Sequence, residues 1–335
     1  MRGKKVNVAV IGCGHWGPNH IRVFNSLSVS SVVAVADTDT NRLNYIKEQY
    51  PSAACEMDYQ KVLQNDSVEA VVVATPAATH FEIVKNALIA GKHVLCEKPL
   101  CTSSDETAAL DKLASEKKLI LAVGYLFIFN SGILALKELI SNKELGILHY
   151  FNVARSNLGP IRSDVNVVYD LTSHDLSILN FLLNGTPQNI VAVGGCYLQQ
   201  GIQDIAFISL IYQTSLIANI FTSWLDPRKT RQITVVGDKK MALWDDLNTT
   251  GSITIFDKSV IKEPYYKDYE QFLKLRTIDK NIIIPKVMHT EPLKVQNEAF
   301  ILNIIDNTQP VNNAKFDLDV IKVIECINQK MVTNN

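Results

Sequence analysis

The sequence predicts an α/β protein in which a doubly wound parallel sheet comes first and a second domain with a large, mostly antiparallel open sheet follows. Three observations carry the prediction. The apolar run Val6–Ile11 ends in Gly12-Cys13-Gly14-His15-Trp16-Gly17 and passes into a helical pattern at Ile21, Phe24 and Leu27. Strand-like and helix-like stretches then alternate to about residue 125, the pattern of a parallel sheet with crossover helices. From about Leu145 the pattern becomes apolar–polar alternation broken by short turns such as Gln213-Thr214-Ser215, which reads as antiparallel strands. At 335 residues the chain is too long for one ordinary core and suggests two domains, 1–125 and 126–335, with the final helices placed to pack back on the first.

The glycine turn has the spacing of a dinucleotide fingerprint in the right context, between a strand and a helix. Gly12 permits the tight turn, Gly14 lets backbone approach a pyrophosphate, and Gly17 lets helix and strand lie close. The free N–H groups of the helix would face the phosphates, and Pro18 is tolerated because the first turn has unused donors. The bland alternative is a glycine-rich turn packed for shape alone. A second run, Val32–Ala36, ends at Asp37. An acid there is placed to accept the ribose hydroxyls and to repel a 2′-phosphate, so NAD is expected over NADP. Thr38 follows it and counts among the cofactor contacts. Arg42 either covers the adenine face or is a solvated helix residue.

A short third strand is expected near Ala53–Cys55, with a helix at Tyr59–Gln64 after it. Ala70–Ala74 reads as a fully buried parallel strand, ending at Thr75-Pro76. A helix from about Ala78 to Ala90 stops at Gly91. His93–Cys96 leads into Glu97-Lys98-Pro99, then a helix Asp105–Lys118 and a strand Leu119–Val123 before Gly124-Tyr125. Gly12, Asp37, Thr75, Lys98 and Tyr125 thus all stand at strand ends, the rim where such sheets bind ligands. Beyond the helix Ile133–Ser141, strands are expected near Leu148–Ala154, Ile190–Tyr197, Ile205–Tyr212, Leu216–Trp224, Gln232–Val236 and Ile253–Phe256. One helix, Asp170–Leu183, interrupts them. Tyr265–Pro285 reads as a long polar loop, and two helices, from Pro292 to Asp306 and Leu318 to Lys330, close the chain.

Composition narrows the function. A net charge of -1 with 20% charged residues gives no bulk attraction to nucleic acid or membrane. No apolar run reaches about 18 residues, and the N-terminus runs straight into the first strand, so neither a membrane span nor a signal peptide is expected. The six cysteines are scattered without Cys-x-x-Cys; a reducing cytoplasm fits, and neither a disulfide framework nor a metal site is expected.

Gly12–Gly17, Thr75-Pro76 with His80, Glu97-Lys98-Pro99, Gly124-Tyr125 and Asp170-Leu171-Thr172-Ser173-His174-Asp175 together resemble the glucose-fructose oxidoreductase, inositol dehydrogenase and rhizopine catabolism (Gfo/Idh/MocA) family over nearly the whole chain. The resemblance implies an N-terminal Rossmann domain, a C-terminal α+β domain with an open sheet that commonly pairs into homodimers or homotetramers, and hydride transfer between a nicotinamide and a secondary carbinol of a sugar or polyol. Two departures stand out. Ile128-Phe129-Asn130-Ser131 replaces the frequent Arg-Phe-x-Pro, and Ser173 replaces a frequent proline before the histidine.

Oxidising a carbinol requires a base for its proton while hydride leaves. His174 is the expected base, with Asp170 one helical turn ahead of it; the bland alternative is a hydrogen-bonded core histidine. Lys98 is expected to stabilise the reacting oxygen rather than to be a surface lysine. Asp175 reads as structural. His15 and Trp16 belong to the cofactor turn, and Thr75, Pro76, His80, Glu97 and Tyr125 are expected on the cofactor side. Substrate contacts are expected from Lys98, Tyr125, Arg155, Asn157, Arg162, Asn166, Tyr169 and His174, although the stretch 155–166 also reads as an ordinary polar crossover. Lys98 and His174 come from different domains, which places the reacting carbon between the domains. The glycine turn with Asn19-His20 and Arg22 resembles relatives acting on nucleotide-linked sugars, so 3-oxidation of a UDP- or dTDP-sugar is expected first and a free polyol such as inositol second. A non-catalytic NAD-binding sensor is the reading from another class; it would not need Lys98 and His174 together.

Overall fold

The computed structural model describes residues 5–213, 215–249, 251–264 and 273–334. The chain divides into two compact units, Met1–Phe129 with Thr290–Lys322, and Asn130–His289 with Val323–Asn335.

In the first unit, six strands, β1 (Val6–Ile11), β2 (Ser30–Ala36), β3 (Ala54–Glu56), β4 (Ala70–Val73), β5 (His93–Cys96) and β6 (Leu121–Val123), form an all-parallel sheet in the order β3-β2-β1-β4-β5-β6. Every residue of β4 is buried, as its unbroken apolar sequence requires when helices cover both faces. The order reverses between β1 and β4, the switch point at which such sheets bind ligands. Helix α1 (Gly17–Ser26) leaves the glycine turn with Pro18 in its first turn. Asp39 caps α2 (Thr40–Gln49) by accepting the Asn41 N–H, and Asp58 caps α3 (Tyr59–Leu63) in the same way. The helix expected from Ala78 instead begins as a 3-10 turn, Ala77–Thr79, and becomes α4 at His80–Ile89. Helix α5 (Ser104–Lys117) stops with Lys118 in the left-handed region. The late helix α8 (Pro292–Asp306) packs against α1, where Phe300 and Ile301 join a core of Val8, Val10, Ile21, Phe24, Val35 and Leu95.

In the second unit, nine strands among the described residues form one sheet in the order β14-β13-β12-β11-β7-β10-β9-β8-β15. These are β7 (Leu148–Leu158), β8 (Asn189–Gly195), β9 (Ile205–Ile211), β10 (Ile217–Ser223), β11 (Leu225–Gly237), β12 (Met241–Asp245), β13 (Ile253–Pro264), β14 (Leu273–Ile283) and β15 (Val332–Asn334). The pairs β7–β10 and β8–β15 are parallel and the rest antiparallel. One face is buried, by Phe151, Val153, Ile208, Leu210, Ile220, Ile233, Val235 and Trp244 among others. Helices α6 (Ser131–Ser141) and α7 (Ser173–Leu183) pack on each other, and α6 also packs on β12 and β13.

Three local expectations are corrected. The loop expected over Tyr265–Pro285 is, from Leu273 to Ile283, the strand β14 paired with β13. It lies at the sheet edge with mostly exposed residues from Arg276 onward, so no one-sided burial wrote an apolar period into it. Residues 265–272 lie outside the described residues. The polar crossover read over 155–166 is strand as far as Leu158, because β7 continues in register with β10 to Ser156. The helix expected from Asp170 opens as a π turn, Val168–Thr172, and α7 proper starts at Ser173.

Candidate active site

The cofactor turn is built as the glycine spacing requires. Gly12 has φ of 95°, and a Cβ there would sit 2.6 Å from the Ala74 carbonyl oxygen. A Cβ on Gly17 would collide with the Gly12 carbonyl, whereas one on Gly14 would meet only the Arg42 guanidinium, at 3.7 Å. The backbone at Gly14 is therefore open on the side toward Arg42, the cradle that a pyrophosphate needs. His15 and Trp16 are exposed on this turn, their rings edge to face at 5.5 Å. Asp37 Oδ2 accepts the Cys13 N–H at 2.6 Å and Oδ1 accepts the Asp39 N–H at 2.8 Å. Its carboxylate thus fixes the turn against the end of β2, with Arg42 3.6 Å away. Thr38 is exposed beside it. These residues fit an NAD-type dinucleotide.

Lys98 follows the end of β5 and is half-buried. Behind it lies a buried polar chain. The Asn297 amide on α8 donates to His20 Nδ1 at 3.1 Å, which leaves the ring proton on Nε2 to donate to Glu97 Oε1 at 2.8 Å. Glu97 Oε2 in turn lies 3.3 Å from the Lys98 N–H. His20 and Asn297 are 0% exposed. Neither figured as a site residue in the sequence, although His20 lies one helical turn beyond Gly17 on the inward face of α1, and Asn297 interrupts the buried face of α8. Arg22 ties α1 to Glu291, the N-cap of α8.

Two residues expected to face the cofactor or substrate are turned to internal tasks. His80 is buried, with Nδ1 2.8 Å from the Pro99 carbonyl and Nε2 2.9 Å from the Thr75 carbonyl. It holds the two loops together rather than presenting a ring to a ligand. Thr75 accepts from the Thr79 hydroxyl at 2.8 Å, and Pro76 is exposed. Tyr125 is fully buried and donates its hydroxyl to Asp317 Oδ1 at 2.7 Å. Burial pushes the Asp317 carboxyl up to about 7 despite donation from Tyr125, the Leu100 backbone and Thr107. Burial and the Asp317 charge push the Tyr125 hydroxyl well above its ordinary value. Asp317 thereby joins the segments after β5 and β6.

In the second unit, His174 is the second residue of α7 and half-buried. Asp170 stands in the π turn just ahead of it, a helix irregularity frequent at functional sites. Trp224 Nε1 donates to Asp170 Oδ2 at 3.0 Å, and an Arg162 guanidinium nitrogen reaches Oδ1 at 3.4 Å. Arg162 also pairs with Asp164 at 2.9 Å, and this bond raises the Arg162 pKa. Asn157 donates to the Gly159 carbonyl. Tyr169 is half-buried, and burial raises its hydroxyl pKa. The structure moves two further expected substrate contacts inward. Arg155 is 3% exposed and donates to Asp175 Oδ1 at 2.8 Å; it neutralises a buried acid whose pKa burial raises and Arg155 lowers. Asn166 donates both amide protons, to Gln203 and Asn328 at 2.8 Å each, and accepts the Tyr169 N–H. Its polar atoms hold the loop together. Among the described residues no group of three or more His, Cys, Asp or Glu could hold a metal ion, and no helix is long and apolar enough to cross a membrane.

Comparison with known proteins agrees over both units. The model of the Gfo/Idh/MocA oxidoreductase family, NAD-binding Rossmann fold, matches residues 6–125, and the model of the Gfo/Idh/MocA C-terminal domain matches residues 133–243. The chain is similar to a UDP-N-acetylglucosamine 3-dehydrogenase of Acidithiobacillus ferrooxidans, at 27% identity over 73% of this chain and 75% of that one. It is also similar to a myo-inositol 2-dehydrogenase of Thermotoga maritima, at 26% identity over 65% and 68%. A solved structure of the Acidithiobacillus enzyme superposes with a TM-score of 0.82, at 22% identity over 98% of both chains.

Proposed function

The chain belongs to the Gfo/Idh/MocA family of oxidoreductases with an NAD-binding Rossmann fold, and from that premise we propose that it transfers hydride between NAD and a secondary carbinol of a sugar. The observation that carries this reading is the setting of Lys98. It stands at the carboxyl end of β5, next to the switch-point strand β4, with the buried Asn297–His20–Glu97 chain fixing the residue before it. A bare dinucleotide-binding module has no need of a lysine held in this way.

In this reading His174 takes the hydroxyl proton and returns it in the reverse direction. Asp170, held by Trp224 and Arg162, stands in the turn just ahead of His174 and orients its ring. The Lys98 ammonium donates to the reacting oxygen and stabilises the charge that builds there. NAD, when bound, supplies the hydride acceptor. Glu97, His20 and Asn297 act through Lys98 as positioning residues. Asp37 favours NAD over NADP, because a 2′-phosphate would meet a carboxylate engaged by backbone donors on two sides.

Two relatives bracket the substrate, one named for a nucleotide sugar and one for inositol. The 3-position of a UDP- or dTDP-linked sugar is the first candidate and a free polyol the second. We place the protein in the cytoplasm as a homodimer or homotetramer. The outer face of the second sheet supports self-association: it exposes Val191, Val193, Phe207 and Ile217 side by side, with Phe207 stacked on Phe221 at 5.1 Å. The test is a panel of free sugars, inositols and nucleotide sugars with NAD, read by NADH absorbance. Turnover on one class assigns it, and tight NAD binding with no turnover on any member favours a sensor instead.

A further inference from the structure

The crossover from Gly159 to Asn166 carries Arg162 and leads into the π turn that holds Asp170, yet it belongs to no helix or strand. A segment without a ladder of its own is fixed by the partners that its polar groups find elsewhere. Here many of them come from one loop. β8 and β9 pair antiparallel with Gly195 opposite Ile205, and Ile205 lies opposite Ser223 of β10, which runs parallel to β7. The loop between β8 and β9 therefore stands at the same end of the sheet as the crossover that leaves β7.

This loop grips the crossover at two points. The Gln199 amide donates to the Arg162 carbonyl at 2.8 Å. The Gln203 carbonyl accepts the Val167 N–H at 2.9 Å, and the Gln203 side-chain oxygen accepts the Asn166 amide at 2.8 Å. Both points lead to Asp170. The Arg162 guanidinium reaches Asp170 Oδ1 at 3.4 Å, and the Asn166 carbonyl accepts the Asp170 N–H at 3.1 Å. The loop is in turn fastened to the sheet. Asp204, 1% exposed, accepts the Tyr197 and Leu198 N–H groups on Oδ2 at 2.7 and 2.8 Å, and such charge-assisted bonds are the strong ones. The Gln199 carbonyl accepts the Ile202 N–H at 3.2 Å across a turn whose third residue, Gly201, has φ of 77°, the position that calls for glycine. The Asp204 carbonyl accepts the Trp224 N–H at 2.9 Å, and the Trp224 ring nitrogen donates to Asp170.

We propose that the loop 196–203 is a strap that sets the position of Arg162 and Asp170, with Gln199 and Gln203 as positioning residues for the sugar site and Asp204 as the anchor of the strap. This rests on the sugar-oxidoreductase reading, in which Asp170 orients His174, and extends the machinery of that site to a loop that contributes no group to the chemistry.

Replacing the buried Asp204 risks the sheet itself, so the test uses the half-buried glutamines in the full chain. Gln199→Ala with Gln203→Ala should speed amide hydrogen exchange of peptides within 163–170 by about tenfold, the combined worth of two neutral hydrogen bonds, and leave peptides of β9 unchanged. With NAD and whichever of UDP-N-acetylglucosamine and myo-inositol is turned over, kcat/KM for the sugar should fall by about tenfold, while the affinity for NAD stays the same. Gln199→Lys with Gln203→Glu keeps a donor and an acceptor at these positions and should restore both readouts. Gln213→Ala, in the turn at the other end of β9, should alter neither. Unchanged exchange over 163–170 overturns the strap and leaves the oxidoreductase reading in place. Faster exchange with unchanged sugar kcat/KM overturns its role at the site. Absence of turnover of either sugar by the unaltered protein counts against the oxidoreductase reading instead, and the exchange rates then decide the strap by themselves.

Discussion

The buried carboxyl of Asp317 makes the stability of the first unit depend on pH in a direction opposite to that of most acids. Asp317 accepts from Tyr125 at 2.7 Å and from Thr107 at 3.3 Å, and burial raises its pKa from 3.8 to about 7. The native state therefore keeps its proton where the unfolded chain loses it. The contribution is fully present below about pH 4 and is lost as pH rises through about 7. A shift of about 3 pKa units corresponds to about 4 kcal/mol in all, of which more than half falls between about pH 5 and pH 8. Asp317→Asn keeps the volume and an acceptor oxygen but cannot ionise. In urea unfolding at the two pH values, the unaltered protein should lose about 2–3 kcal/mol relative to the variant on going to pH 8. Parallel pH profiles, within about 0.5 kcal/mol, would refute the assignment of a protonated Asp317 to the native state. The effect bears on function, because Leu100, Thr107 and Tyr125 flank the segment that carries Lys98.

Other expectations follow from the same geometry. His174→Ala should leave NAD affinity nearly intact and lower turnover by about 100- to 10,000-fold; steady-state rates near normal, with hydride transfer shown to be limiting, would return His174 to a structural role. Lys98→Met should lose at least as much turnover, because the charge building on the reacting oxygen loses its donor. Asp37→Ser with Thr38→Arg should relax or reverse the cofactor preference, and calorimetry showing tighter NADP binding to the unaltered protein would contradict the role of Asp37. Arg155→Leu should destabilise the second unit by about 3–5 kcal/mol, because Asp175 is left buried without its counter-charge; a loss below about 1 kcal/mol in urea unfolding would show the pair is not needed. Light scattering should give a mass above that of one chain at micromolar concentration, and a clean monomer would count against pairing through the exposed sheet face.

The features legible in the sequence are local ones. The turn at Gly12–Gly17 is written in glycines because a Cβ at Gly12 or Gly17 meets backbone. The fully apolar Ala70–Val73 announces a strand covered on both faces, and the alternation from Ile205 to Ile211 announces one covered on a single face. Lys98 and Asp37 could be placed at strand ends by counting. The strand β14 was illegible for the complementary reason: paired at a solvated edge, it carries no one-sided apolar period.

Only the tertiary structure decided which polar residues are free to meet a ligand. Arg155 and Arg162 look alike in sequence, yet one is an internal counter-ion to Asp175 and the other stands half-exposed beside Asp170. Tyr125, His80 and Asn166 read as ligand contacts and are bonded inward, whereas His20 and Asn297, 277 positions apart, meet over Glu97. The physical reason is that a charge or amide faces a ligand or a neighbour according to how far its surroundings have removed it from water and what partner they bring within about 3 Å. Both are properties of packing between segments distant in the chain, and neither leaves a period or a spacing in the sequence.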